Sequence, residues 1–361
     1  MKRIFTPLQR IWRKVLGKKE VTIDNNTHER HGVTNLPSHV IKSNQPLHKR
    51  EEPYFVQIGL DFGTSYSKCI CRDIITDKAW VHIPAKFRDQ EFPFLIPSVL
   101  VLDNNQISHP EKNNINYPEK GIYHLKNALV LTAKKQLNEP LFSFYKRLTN
   151  SMQDDQLCEL VKAFSVYFLA GILGEVRSEI RKRFPDFGSM ADDYMAVNLS
   201  IPVENAQQPE VNELFKQLLK ESWQLADQLS GHPRIHLKEL ISMRKELQTG
   251  GDVALDETCF IYPEVSANVQ GFVRSRVSSP GIYFFNDTGG GSIDQSIFIF
   301  VRQDYRELLT YLVGRVLPLG SSKIEERVTR KLDKKDWLTL EQWRKRKERG
   351  ENSEELLYLT H

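Results

Sequence analysis

Tyr54–Leu60 is an apolar run broken by single small or polar residues, Tyr66–Cys71 continues with apolar residues around Ser67-Lys68, and each predicts a strand. Between them lies Asp61-Phe62-Gly63-Thr64-Ser65, a short hydroxyl-rich turn, so the two runs predict a hairpin. Leu157 to Arg183 is long, apolar and periodic enough for a buried crossover helix. Met195, Val197, Leu199 and Ile201 alternate with small or polar residues. Val211, Leu214, Phe215, Leu218 and Leu219 then repeat at helical spacing, so a strand feeds an amphipathic helix. Gly281–Phe285 and Ser296–Val301 predict two further strands, flanking Asp287-Thr288-Gly289-Gly290-Gly291-Ser292-Ile293-Asp294. Strands and helices mixed in this way predict an α/β protein.

The N-terminal pattern is different. Ile4, Leu8, Ile11, Trp12, Val15 and Leu16 recur at helical spacing, with seven Lys and Arg residues filling the other face of residues 2–19. A basic amphipathic helix of this kind suits an anionic membrane surface or an acidic protein partner, and a solvated arm has the same composition. Residues 20–53 turn polar and aperiodic and read as a linker, so the folded body is expected to start near Tyr54. Residues 1–50 hold eleven Lys or Arg against three acids, which leaves the remainder at −4 within an overall +4. The basic character belongs to the arm.

Composition adds less. At 361 residues, 40% apolar and 27% charged, the chain has an ordinary globular balance. No run of 18 apolar residues and no secretory pattern stands out, and Cys69, Cys71, Cys158 and Cys259 lack disulfide or zinc spacing. A cytoplasmic location is expected, peripheral at a membrane if the arm binds one. Cys69 and Cys71, two apart in a strand, are expected to share a buried face.

The two glycine-containing turns share a plan: an apolar strand, an Asp, one residue, a Gly, a hydroxyl, a second strand. Their aspartates lie 226 positions apart. Glycine lets backbone N–H groups approach phosphate oxygens, and the Thr64, Ser65 and Ser292 hydroxyls add donors. Asp61, Asp287 and Asp294 cannot face phosphate directly and make sense around Mg2+. An ordinary hairpin turn has similar residues, so it is the repetition that points to two facing jaws. The chain carries neither G-x-x-x-x-G-K-[ST] nor G-x-G-x-x-G.

Ile58-Gly59-Leu60-Asp61-Phe62-Gly63-Thr64-Ser65-Tyr66-Ser67 and Asn286-Asp287-Thr288-Gly289-Gly290-Gly291-Ser292-Ile293-Asp294 resemble the two phosphate motifs of the DnaK-type heat-shock chaperones, within the actin/hexokinase/heat-shock superfamily. Ile96–Leu102 resembles the strand after the first hairpins, and Pro263-Glu264-Val265-Ser266-Ala267 a worn form of the connecting helix. The resemblance covers about residues 54–330. It implies an actin-like, two-lobed, ribonuclease-H-like ATPase fold: a first lobe over 54–202 and a partial second lobe with charged C-terminal helices over 203–361. It makes Asp61 and Asp287 magnesium-shell carboxylates with Asp294 beside them, and Gly63, Thr64, Ser65, Gly289, Gly290, Gly291 and Ser292 phosphate contacts. It also makes Glu264 the carboxylate at the lobe junction. Lys126 sits where the family places a catalytic lysine; a solvated helix-face lysine fits its local sequence equally, and Lys134 or Lys135 compete.

Leu317-Pro318-Leu319-Gly320 resembles the turn after the second phosphate hairpin, and 41 residues follow it. They include Trp337, Trp343 and the run Arg344-Lys345-Arg346-Lys347-Glu348-Arg349, which reads as a solvated face and leaves nucleic acid a disfavoured partner. The family's adenosine motif and peptide-binding domain are not found after Gly320, so the second lobe is expected to be incomplete. Three functions stay open. One is a chaperone-like protein that binds ATP and Mg2+, hydrolyses ATP weakly and switches conformation for a protein partner. A second is a non-enzymatic remnant or split half that needs a complementary C-terminal chain. The third is a membrane-tethered actin-like assembly protein.

Overall fold

The computed structural model describes residues 50–110, 121–138, 140–149, 153–202, 208–229, 232–249, 253–264, 269, 272–273, 278–289, 292–303, 306–317 and 319–320. The basic arm at 2–19 and the charged C-terminal residues with Trp337 and Trp343 lie outside them. Strand β1 (Phe55–Asp61) turns Val56, Ile58 and Leu60 into the core. β2 (Tyr66–Asp73) turns in Cys69 and Cys71, which share a buried face as their spacing predicts. Buried Asp73 accepts the Phe55 N–H at 3.0 Å and the Thr76 hydroxyl at 2.6 Å, shaping the turn into β3 (Lys78–Val81).

The predicted strand Ile96–Leu102 is split into β4 (Ile96–Pro97) and β5 (Leu100–Asp103). The break has a local cause, since Ser98 donates its N–H to the Ser65 carbonyl at 2.9 Å and its hydroxyl meets that of Ser67 at 2.9 Å. β4 stays on β2, while β5 joins β6 (Gln106–Ser108) and β7 (Gly121–Ile122) in a small sheet. Helices α1 (Leu125–Ala133), α2 (Pro140–Thr149) and α3 (Asp154–Arg183) follow. α3 opens on Asp154 and Asp155 and closes on Arg181, Lys182 and Arg183, charges that complement the helix dipole at both ends. It is long and apolar enough to span a bilayer by composition, but its most apolar window is 78% buried inside the protein, where it forms the spine of the core.

α3 delivers the chain to β8 (Tyr194–Ile201). α4 (Pro209–Leu229), β9 (Arg234–His236), α5 (Leu237–Thr249) and β10 (Cys259–Pro263) follow. β9 closes the small sheet against β6. The main sheet runs β10-β8-β1-β2-β3; β2 is antiparallel to both β1 and β3, whereas β8 and β10 are added in parallel beyond β1. Parallel neighbours require crossovers, and the predicted helices at 157–183 and 211–219 serve that purpose as α3 and α4. The protein is therefore a mixed α/β fold.

A second sheet, β11 (Gly281–Thr288), β12 (Ile293–Gln303) and β13 (Arg306–Leu317), is an antiparallel meander. Its inner face packs Tyr283, Phe285, Phe298 and Phe300 with Val269, Phe272 and Val273. Its outer face leaves Ile282 71% and Phe284 64% exposed. The sequence places the start of the second lobe at 203, but Val211, Phe215, Leu225, Leu240 and Cys259 all belong to the core that contains β1 and β2. The change of core falls after β10, because α4 and β10 complete the first sheet. The linker expected to reach residue 53 is also shorter: Arg50 pairs with Asp186 at 2.7 Å and Asp193 at 2.6 Å, and lies over the Tyr54 ring.

At the far edge of the main sheet His82 is buried against α3. Its Nδ1 is 2.7 Å from Glu179 and its Nε2 3.6 Å from Glu175, with Lys86 beside them and Arg183 over Trp80. Burial alone would lower the His82 pKa, and the neighbouring carboxylates of Glu175 and Glu179 outweigh burial and raise it. A raised value means that the protonated ring contributes stability below about pH 6.5 and that this contribution disappears as pH climbs through the folded value. Melting profiles should lose about 1 kcal/mol across that window, and His82→Gln should flatten the step.

Candidate functional site

The hairpin register sets Asp61 opposite Lys68, whose ammonium lies 3.3 Å from Asp61 Oδ2. Ser200, beside Asp61 on parallel β8, directs its hydroxyl at Oδ1 over 3.4 Å. The ion pair is half-exposed, so it adds little stability and leaves the carboxylate free to change partners. The turn itself needs glycine, because a Cβ on Gly63 would stand 2.0 Å from the Tyr66 carbonyl oxygen. Since that obstacle is backbone, Gly63→Ala is expected to cost about 2 kcal/mol, read as a lower denaturant midpoint. Thr64 and Ser65 occupy the same half-buried turn, held from outside by Ser98.

The second turn has a parallel construction. Asp287 and Asp294 are directly paired across β11 and β12, and therefore sit on one face. Along β12 that face grades from Phe300 and Phe298 through Ser296 to Asp294, from aromatic to polar toward the turn. Asp294 is 5% exposed. Its Oδ2 accepts the Ser292 hydroxyl at 3.3 Å, whereas its Oδ1 and the buried Ser296 hydroxyl have no hydrogen-bond partner. Gly289 donates its N–H to the Ser292 carbonyl at 2.9 Å. Gly290 and Gly291 lie outside the described residues.

Lys126 lies within electrostatic reach of an aspartate of each turn. It is the second residue of α1, where the positive end of the helix dipole disfavours a cation. It is nevertheless only 6% exposed, which overturns the solvated-face alternative, while Lys134 is half-buried and Lys135 exposed at the other end of the helix. The start of α1 is fixed by His124, at φ 59°, and by the Tyr145 hydroxyl, which donates to the Tyr123 carbonyl. Lys126 forms an ion pair with Glu264, the residue after β10. Burial opposes its charge, but Glu264, Asp61 and Asp294 together raise its pKa. Asp294 is driven the opposite way from a normal acid. Burial first, then the charges of Glu264 and Asp287, push its carboxyl up to about 6 against Lys126 and Ser292.

Asp61, Lys126, Glu264, Asp287 and Asp294, which lie on four separate stretches of chain, thus share one electrostatic environment. Lys68, Ser200 and Ser296 belong to it as well and were not among the residues the sequence singles out. Counting back from the turn would have placed Lys68 opposite Asp61; Ser200 becomes visible only once β8 is paired with β1. Among the described residues no three His, Cys, Asp or Glu side chains converge as direct metal ligands. The set still fits a hard cation: four carboxylates face two lysines, and a buried carboxylate oxygen stands unbonded. Mg2+ is commonly bound by few carboxylates and several waters, so it does not need three direct side-chain ligands. No family model matches the chain, and no curated protein matches it either.

Proposed function

We propose that this protein binds Mg-ATP between the β1–β2 and β11–β12 turns and serves as a nucleotide-dependent conformational switch with weak ATP hydrolysis. The observation that carries the reading is the shared charge environment of Asp61, Lys126, Glu264, Asp287 and Asp294 around a buried, unbonded Asp294 Oδ1. Order in the main sheet supports an actin-like, ribonuclease-H-like architecture, since three antiparallel strands are extended by two parallel ones. The β11–β13 meander repeats the β1–β3 plan with an acid at the same end of its first strand, which supports two facing jaws.

In this reading Gly63, Thr64, Ser65, Gly289 and Ser292 offer N–H and hydroxyl donors to phosphate oxygens. Lys126, at the positive end of α1, adds charge where negative charge would accumulate. Asp61, Asp287 and Asp294 would hold Mg2+ through water, and the ion would supply neutralisation of the phosphates. Asp294 or Glu264 would orient the attacking water, and Lys126 would stabilise the developing charge without donating its proton. A ligand touching both turns favours their approach and so biases a closed state that a partner reads.

Calorimetric titration with Mg-ATP tests this. The unmodified protein should bind saturably, and Asp287→Asn should weaken binding by about tenfold or more while the fold is retained. Well-folded protein that binds no Mg-ATP would leave the split-half reading.

A further inference from the structure

The outer face of the β11–β13 sheet carries a patch with no cover among the described residues. Register places Ile282 beside Ile299, Phe284 beside Ile297, and Ile297 beside Val313. A sheet whose inner face is already packed and whose outer face is also apolar is a middle layer that lacks its second neighbour. Leu317 ends β13, and residues 321–361 follow after a short link.

Ser322-Lys323-Ile324-Glu325 has the spacing of a helix-opening capping box. Ile324, Val328 and Leu332 then recur every fourth position, with Glu326, Arg327, Arg330 and Lys331 among the charged residues between them. At about 1.5 Å per helical residue that stripe is about 12 Å long. Three strands about 4.8 Å apart set the outer two about 10 Å apart, so stripe and sheet have matching widths. The short tether also decides between occupants. It holds the segment at an effective concentration of about millimolar, so a free chain at about micromolar would have to bind about a thousandfold more tightly to compete.

We propose that residues 322–335 form an amphipathic helix that covers the outer face of β11–β13, seating Ile324, Val328 and Leu332 on Phe284, Ile297 and Val313. This covering layer is independent of any nucleotide at the turns.

The experiment uses the full chain carrying Cys158→Ser, because Cys158 is the native cysteine that is not buried. Phe284→Cys is combined with Val328→Cys or with Arg330→Cys, and a short bis-maleimide is added. Position 328 should give about tenfold more intrachain cross-link than 330, which points to the opposite side of a helix. Asn286→Cys at the polar margin of the patch repeats the measurement without removing Phe284. Adding Val328→Asp to the Asn286→Cys chain should speed its alkylation by a small maleimide about fivefold or more. Cross-links that run between chains would put a second copy on the face and overturn the proposal. Equal yields at 328 and 330, or alkylation unaffected by Val328→Asp, would overturn it in favour of a separate partner.

Discussion

Lys126→Met is expected to abolish Mg-ATP binding and to lower stability by about 3–5 kcal/mol, the cost of leaving one member of a buried ion pair alone. Met fills most of the lysine's volume, so the loss would come from Glu264, which faces Lys126 from the end of β10. A solvated lysine would change stability by less than about 0.5 kcal/mol, so a urea midpoint distinguishes the two cases. The double variant Lys126→Met with Glu264→Leu should recover most of the stability and none of the binding, which separates a folding role from a ligand role. The alkaline limb offers a second check. Because the pKa of Lys126 is raised in the fold, its contribution is complete below about pH 10.4 and is lost as pH rises through the higher folded value. Lys126→Met should lack that loss.

Asp294→Asn should behave in the reverse sense, stabilising the protein while removing its response to Mg2+. The Asp294 carboxyl rises from 3.8 to about 6 because it is buried beside Glu264 and Asp287. An acid with a raised folded value makes the folded state progressively less stable as pH climbs from about 4 to about 6. The full rise is worth at most about 3 kcal/mol. Solvent screening reduces this to about 1–2 kcal/mol. Melting temperatures at pH 4.5 and 7.5 should therefore converge in the Asn variant, with the higher value at pH 7.5 belonging to the variant. If Mg-ATP binding also falls by about a hundredfold in calorimetry, Asp294 is kept for the ligand at the expense of the fold. Loss of stability at pH 7.5 would instead make it a structural acid.

Much of this arrangement is legible before folding is considered. The β1–β2 hairpin, α3, β8 with α4, and β11–β12 are long or strongly patterned, and each falls within a few residues of its predicted span except α4, which runs ten residues past Leu219. Asp61 and Asp287 could be selected because glycine and hydroxyl residues cluster beside them. The small sheet could not be read, since β6, β7 and β9 are two or three residues long and find their partners only in space. β13 was concealed by a different cause. Leu308-Leu309-Thr310-Tyr311-Leu312-Val313 lacks strict alternation, and the register shift between Ile297 and Phe298 explains why. Lys126 was ambiguous because burial is a property of what surrounds α1. Its partner Glu264 lies 138 residues away, and no local signal joins them.

The clasp of Arg50 by Asp186 and Asp193 also fixes where the chain enters the fold. It grips the start of β1, whereas Asp61 stands at the other end of that seven-residue strand. At about 3.3 Å per residue the two points are about 20 Å apart. The chain therefore enters the folded body at the end of β1 opposite the β1–β2 turn, so an addition at residue 50 and a substitution at Asp61 act on opposite ends of one strand.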